Sequence, residues 1–232
     1  MWSIVVAGGS GRRFGQLKQY ALLGGRPVLE WAVSACRTCS AGVVLVVPDS
    51  THSADGADGA DRDSHGADVV VTGGATRADS VRCGLAAVPD DAEVVVVHDA
   101  ARPLASPALF IAVIAAVTDG GADGAVPGVA PSDTIKVVDE SGRVTNTIDR
   151  TTLVAVQTPQ AFRAVLLRRA HDEALPAESP PAGAPATDDA MLVEALGGTV
   201  QVVPGEPGNV KITDPGDLEV AERLLAEARA KA

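Results

Sequence analysis

The chain has 232 residues with 19 Lys and Arg against 30 Asp and Glu, a formal net charge of -11, and 46% hydrophobic but only 3% aromatic content. An acidic chain this poor in aromatics lacks the basic, stacking surface that binds nucleic acid. No run of about 18 apolar residues and no basic segment leading into an apolar one at the start is found, so no membrane span or signal peptide is expected. The expectation is a cytoplasmic α/β protein, one domain over residues 1–232, with a core of Val, Ala, Leu and Ile.

The first predicted element is a strand at 3–7, containing the apolar run Ile4-Val5-Val6-Ala7. It leads directly into Gly8-Gly9-Ser10-Gly11-Arg12-Arg13-Phe14-Gly15-Gln16-Leu17-Lys18. The first 29 residues hold four cations, Arg12, Arg13, Lys18 and Arg26, and no carboxylate. A strand ending in glycines lets backbone N–H groups approach a phosphate closely, and fixed cations add the charge that an acidic protein lacks. The segment therefore reads as a polyphosphate cradle. A Walker A loop places Lys directly after Gly and before Ser or Thr, whereas Lys18 stands between Leu17 and Gln19. The dinucleotide fingerprint requires a small residue where Phe14 stands. What remains, Gly-Gly-x-Gly-x-Arg with a Lys a few residues later, resembles the signature loop of nucleotidyltransferases, which join a nucleoside triphosphate to a sugar or polyol phosphate.

Further strands are predicted at 43–47, 68–72, 93–97 and 124–129, and helices at 27–38, 78–87 and 107–118. Pro27 suits a first helical turn, and Ser106 before Pro107 is a good N-cap. The run Val94-Val95-Val96-Val97 implies burial on both faces and mostly parallel pairing. In such sheets ligands bind beyond the carboxyl ends of the strands. Cys36 and Cys39 form a Cys-x-x-Cys at the end of a predicted helix, without a second pair or a His to complete a zinc site, so with Cys83 they read as ordinary buried thiols. Residues 53–68 repeat Ala-Asp-Gly units and 176–186 are rich in Pro and Ala; neither buries enough surface to offset its ordering entropy. His52 and His65, in or beside the first of these, are expected in solvent.

After the strand at 93–97 comes His98-Asp99-Ala100-Ala101-Arg102-Pro103, so Asp99 and Arg102 should emerge at the same sheet edge as the glycine loop. Read from this segment alone, Asp99 is either a Mg²⁺ ligand, since a cation bridging triphosphate oxygens takes only one or two protein carboxylates, or a cap of the next turn paired with Arg102. His98 reads as structural, because a phosphate nucleophile has no hydroxyl proton to lose. Residues 132–152 then read as two alternating strands around Asp139-Glu140-Ser141-Gly142. A hairpin with so little core is marginal unless covered, and pairing with a second subunit would cover it. The chain continues to a strand at 199–203 and a helix from Pro215 to Ala228, with Leu218, Leu224 and Leu225 toward the sheet and Glu222 and Arg223 toward water.

Taken in order, Gly-Gly-x-Gly-x-Arg with Lys18-Gln19-Tyr20, Gly73-Gly74 with Arg77-Ala78-Asp79-Ser80-Val81, His98-Asp99-Ala100-Ala101-Arg102-Pro103, Asp133-Thr134-Ile135-Lys136, Thr158-Pro159-Gln160, Thr187-Asp188-Asp189-Ala190 and Asn209-Val210-Lys211-Ile212-Thr213 strongly resemble the 2-C-methyl-D-erythritol 4-phosphate cytidylyltransferase family and its relative, the ribitol-5-phosphate cytidylyltransferases. The resemblance implies a Rossmann-like, mostly parallel sheet flanked by helices, with a protruding β-arm used for homodimerisation. It implies CTP and 2-C-methyl-D-erythritol 4-phosphate as substrates and pyrophosphate as a product, with Mg²⁺ or another divalent cation; ribitol 5-phosphate or another polyol phosphate is the alternative acceptor. By the same resemblance Arg13 and Lys18 stabilise charge on the α-phosphate, and Arg150 and Lys211 surround the polyol phosphate, joined by Arg102, Thr158 and Thr134 of the partner's arm. Ala7, Gly8, Gly74 and Ser80 would hold the cytosine, Gly9 and Gly11 would complete the nucleotide cradle, and Asp99 matches the acid on the metal side. The chain departs from the family pattern at Val6-Ala7-Gly8-Gly9, at Leu17, in a short span from Arg13 to Lys18, and at Ala75, where an acid often stands. These departures leave the charged residues in place and bear on nucleotide selectivity. A binding protein that keeps the fold without turnover is the alternative from outside the enzyme class.

Overall fold

The computed structural model describes residues 1–8, 17–48, 64–174 and 188–231. The chain opens with β1 (Trp2–Val6), a 3₁₀ turn at Lys18–Tyr20, a short hairpin of β2 (Leu22–Leu23) and β3 (Arg26–Pro27), and α1 (Val28–Arg37). Next come β4 (Gly42–Val47), β5 (Val69–Thr72), α2 (Arg77–Ala87), β6 (Val94–Asp99), α3 (Pro107–Thr118) and β7 (Gly124–Val129). A projecting hairpin of β8 (Lys136–Val138) and β9 (Val144–Thr147) follows, then a 3₁₀ turn at Arg150–Thr152, β10 (Ala155–Val156), β11 (Gln160–Arg163), α4 (Ala164–Glu173), α5 (Asp189–Ala195), β12 (Val200–Pro204) and α6 (Pro215–Lys231).

The main sheet is mixed but mostly parallel. β1 lies between β4 and β6 and runs parallel to both, with Val6 opposite Val46 and Asp99. β5 extends the sheet beyond β4, while β11 lies antiparallel between β6 and β7. Because β12 runs along β7 from Gly124 to Gly128, β10 and β11 share the other side of β7, one antiparallel line interrupted at 157–159. Side-chain alternation then fills both faces. Val5, Leu45 and Val96 pack with Leu29, Val33, Phe110 and Val113 of α1 and α3. Ile4, Val44, Val46, Val95 and Val97 pack with Val81, Leu167 and Val193 of α2, α4 and α5.

The expected strands and first three helices are present, with informative differences. β6 continues through His98 and Asp99, because both still pair with β1. α1 begins at Val28 rather than Pro27: Pro27 pairs with Leu22, and the Val28 N–H donates to the Ala21 carbonyl. His65 is not in solvent, since its Nδ1 lies 3.0 Å from Glu30 Oε1 and its ring 5.9 Å from that of Tyr20. His52 lies outside the described residues. Glu222 and Arg223 are exposed as expected, but Leu225 does not face the main sheet. It joins Leu23, Val28, Ile212 and Ala221 in a separate small core, so α6 braces the β2–β3 hairpin and the start of α1.

Candidate active site

Parallel pairing brings the ends of β1 and β6 together, and the Ala100 N–H donates to the Val6 carbonyl at 3.0 Å. Ala7 and Gly8 continue from β1 at this edge, beside the start of α2. That helix start is fixed by a capping box: Asp79 N–H donates to Thr76 Oγ1 at 3.0 Å, and Thr76 N–H donates to Asp79 Oδ2 at 3.0 Å. Ser80, 2% exposed, turns its Oγ to the Thr76 carbonyl at 2.9 Å. A Cβ on Gly8 would stand 3.1 Å from that Oγ, and one on Gly74 would stand 2.3 Å from the Asp79 Cβ. Gly74 therefore has no room for a side chain, while at Gly8 the Ser80 hydroxyl would have to give by a few tenths of an ångström.

A cavity of about 360 Å³ opens here, lined among others by Ala7, Gly8, Lys18, Gly74, Ala75 and Ser80. The expected base-holding residues that the structure describes thus converge. Lys18 also reaches the cavity despite the short span before it, from the first position of its 3₁₀ turn, with Nζ donating to the Ile212 carbonyl at 2.8 Å. Gly9, Gly11, Arg12 and Arg13 lie outside the described residues.

The floor of the site is ionic. Asp99, 8% exposed, accepts from Lys211 Nζ at 2.7 Å on one oxygen and from Arg77 Nε at 3.2 Å on the other. Burial alone would raise its pKa, but Arg77 and then Lys211 hold the carboxyl well below the usual carboxylate range. The capping alternative paired with Arg102 is not seen: Arg102 Nη1 donates instead to the Asn209 carbonyl at 2.7 Å. Arg77, a motif residue to which the sequence assigns no role, also donates to Asp189 Oδ2 at 2.8 Å, and Asp189 in turn meets His171 Nε2 at 3.0 Å.

A second cavity of about 230 Å³ adjoins this floor, lined by Arg102, Gln157, Thr158, Gln160 and Asp188, with Arg77, Asp99 and Lys211 common to both cavities. The break between β10 and β11 supplies Gln157 and Thr158. Thr158 Oγ1 accepts the Asp99 N–H at 3.0 Å and lies 3.0 Å from His98 Nδ1, so its hydroxyl is already engaged within the protein. His98 is fully buried, its Nε2 lies 3.1 Å from the Arg102 carbonyl, and burial pushes its pKa down to about 4. It is a neutral strut, as its sequence context suggested. Asn209, wholly buried, donates to the Thr158 carbonyl at 2.9 Å and to Gln157 Oε1 at 3.3 Å, fixing the segment that carries Lys211. Arg150 and Thr134 line neither cavity. Both are exposed on the arm, where Arg150 donates to the Ser132 carbonyl across its base.

No group of three or more metal-ligating side chains converges among the described residues. Among the described residues, Asp99 is the carboxylate that lines both cavities, and a divalent cation there would share it with Arg77 and Lys211. That donor set suits a cation carried mainly by triphosphate oxygens and water.

A family model described as 2-C-methyl-D-erythritol 4-phosphate cytidylyltransferase matches residues 1–227. The chain is 46% identical to a bifunctional enzyme IspD/IspF of Anaeromyxobacter dehalogenans, over 96% of this chain and 56% of that protein. It therefore spans little more than half the length of such bifunctional relatives. It is also 46% identical to a 2-C-methyl-D-erythritol 4-phosphate cytidylyltransferase of Frankia casuarinae, over 97% of this chain and 80% of that protein. The crystal structure of the corresponding enzyme of Thermus thermophilus superposes with a TM-score of 0.75 at 35% identity, covering 96% of this chain and 98% of that one.

Proposed function

Because this chain belongs to the 2-C-methyl-D-erythritol 4-phosphate cytidylyltransferase family, we propose that it transfers the cytidylyl group of CTP to 2-C-methyl-D-erythritol 4-phosphate and releases pyrophosphate. The observation that carries this reading is the shared floor: Arg77, Asp99 and Lys211 line both a glycine-walled cavity and its neighbour. Two anionic reactants must approach each other, and cations at the junction lower the electrostatic cost of bringing them together.

In the reaction a phosphate oxygen of the polyol attacks the α-phosphorus of CTP in line. A new O–P bond forms, the bond to the bridging oxygen breaks, and pyrophosphate leaves with its electron pair; no proton transfer is needed. Lys18 faces the nucleotide cavity as a point charge for the equatorial oxygens, and Arg13 of the glycine loop would add a forked donor. Lys211 serves the polyol phosphate from the other side of the floor. Ala7, Ser80, Gly8 and Gly74 line the cavity where the cytosine would lie. Asp99 would hold Mg²⁺ on the triphosphate, and the cation when bound neutralises charge on the leaving group.

Arg150 and Thr134 would act in a second copy of the chain, reached by the arm. Its exposed Val137, Val138 and Val144 are 42%, 54% and 53% accessible, apolar surface that a hairpin of two short strands cannot cover alone. The protein is expected to sediment as a homodimer. Val138→Asp should shift it to monomer and abolish turnover, and a wild-type monomer at micromolar concentration would refute this arm function. Localisation in the cytoplasm stays part of this reading; no helix among the described residues is long and apolar enough to cross a membrane.

The direct test is pyrophosphate release from CTP and Mg²⁺, comparing methylerythritol 4-phosphate with ribitol 5-phosphate, before and after chelation by EDTA. Turnover with the first substrate and its loss on chelation are expected. Preference for ribitol phosphate would reassign the polyol, and release with neither would favour a nucleotide-binding protein without turnover.

A further inference from the structure

Arg77 occupies the first position of α2, where the positive end of the helix dipole disfavours a cation. The helix therefore does not explain its placement; two carboxylates do. Its Nε donates to Asp99 Oδ1 at 3.2 Å and its Nη1 to Asp189 Oδ2 at 2.8 Å, while Nη2 is buried with no partner among the described residues. Asp189, 1% exposed at the start of α5, presents its other oxygen to His171, wholly buried on α4. A continuous line of polar contacts thus runs from α4 through α5 and α2 to the end of β6.

Lys211 alone cannot orient Asp99. Its side chain is 41% exposed, and an ammonium on a flexible stem bonds a carboxylate oxygen without fixing the plane of the group. Arg77 differs because its planar guanidinium is held at both ends. With separate cations on its two oxygens, the Asp99 carboxylate cannot rotate without losing one of them. Asp189 itself stays anionic despite burial, because Arg77 and His171 outweigh the desolvation that would raise its pKa.

We propose that Arg77 is a positioning residue for cytidylyl transfer: bridging Asp99 to the buried Asp189, it sets the Asp99 carboxylate, and with it the Lys211 ammonium, at the wall shared by the two cavities. The proposal rests on the cytidylyltransferase reading. Its consequence is that Asp189, which lines neither cavity, governs turnover through Arg77.

The test is a double-mutant cycle on the full chain with kcat, KM for each substrate and thermal midpoint measured together. Misplacing a reacting group by roughly 1 Å costs about 10²-fold, so Arg77→Met is expected to lower kcat about 10²-fold with a smaller change in KM for CTP. Asp189→Asn, which keeps the shape but drops the charge, should lower kcat about tenfold, and the two changes together should cost no more than Arg77→Met alone. Arg77→Lys should recover part of the loss, since it keeps the charge without the bridge. Losses that multiply in the double variant, or that follow the thermal midpoint instead of the cycle, would overturn the proposal, as would a kcat for Arg77→Met close to wild type. If the wild-type protein releases no pyrophosphate, the functional reading fails by itself. The same cycle is then read in the calorimetric dissociation constant of CTP with Mg²⁺, where non-additive weakening supports the bridge and additive weakening rejects it.

Discussion

Lys18→Ala is expected to reduce kcat by about 10²- to 10³-fold, the usual range for removing one preorganised donor from a developing oxyanion. The residue begins a 3₁₀ turn, and its Nζ is anchored 2.8 Å from the Ile212 carbonyl while lining the larger of the two cavities described. A cation held this way is in place before substrate arrives, so its effect should fall on kcat more than on the KM for CTP. The structural cost should be small, because the side chain lies at the cavity surface and removes no core volume. Steady-state kinetics with the thermal midpoint as control decide the matter. A KM-only effect would mean that Lys18 binds the triphosphate equally in ground and transition states, and an unchanged kcat would remove it from the chemistry. Lys18→Arg should be only a partial rescue, since the longer planar group cannot occupy the same anchor on Ile212.

Asp99→Asn is expected to cost both activity and stability. The carboxylate sits between Arg77 Nε at 3.2 Å and Lys211 Nζ at 2.7 Å. An amide cannot serve both, for whichever way it turns, its NH₂ faces one of the cations. Breaking a fully buried ion pair costs about 3–5 kcal/mol. Here Lys211 can swing toward water and Arg77 keeps Asp189, so a loss of about 1–2 kcal/mol in urea unfolding is expected. Turnover should fall by more than about 10²-fold, with a higher Mg²⁺ requirement, because in the proposed reaction the same group orients Lys211 and would be the acid on the metal side. A variant with wild-type kinetics would remove Asp99 from the site, whatever its stability.

Much of this architecture was legible in the sequence because the signals are local. Unbroken Val runs specified the central parallel strands, Ser106-Pro107 specified the start of α3, and the glycines after Ile4-Val5-Val6-Ala7 specified the cavity edge. Apart from the Pro- and Ala-rich residues 176–186, the region from Ala155 to Ala195 was read only through its motifs. β11 has four residues and α5 seven, too short for a periodic pattern, and their identity comes from pairing with distant β6 and β7. The role of Arg77 was invisible for a similar reason: its partners lie 22 and 112 positions away, and nothing in Arg77-Ala78-Asp79 distinguishes a bridging guanidinium from a solvated one. The misplaced face of α6 follows from the β2–β3 hairpin, whose two-residue strands give no sequence signal yet supply Leu23 as the surface the helix covers.

The small core that joins Leu23 and Val28 to Ile212 and Leu225 also has a consequence for biosynthesis. The cavity-lining Lys18 leans on Ile212, 194 positions later, and the Gly24 N–H donates to Glu222 Oε1 at 2.7 Å. During translation, the central strands can pair and the glycine loop can emerge while this late segment is still inside the ribosome. The floor of Arg77, Asp99 and Lys211 cannot close until that segment has emerged. At about 5–20 residues per second, the nascent chain therefore spends on the order of ten seconds with a sheet in hand but no reaction centre. A ribosome stalled before Lys211 would display the central strands without the floor that Arg77, Asp99 and Lys211 form.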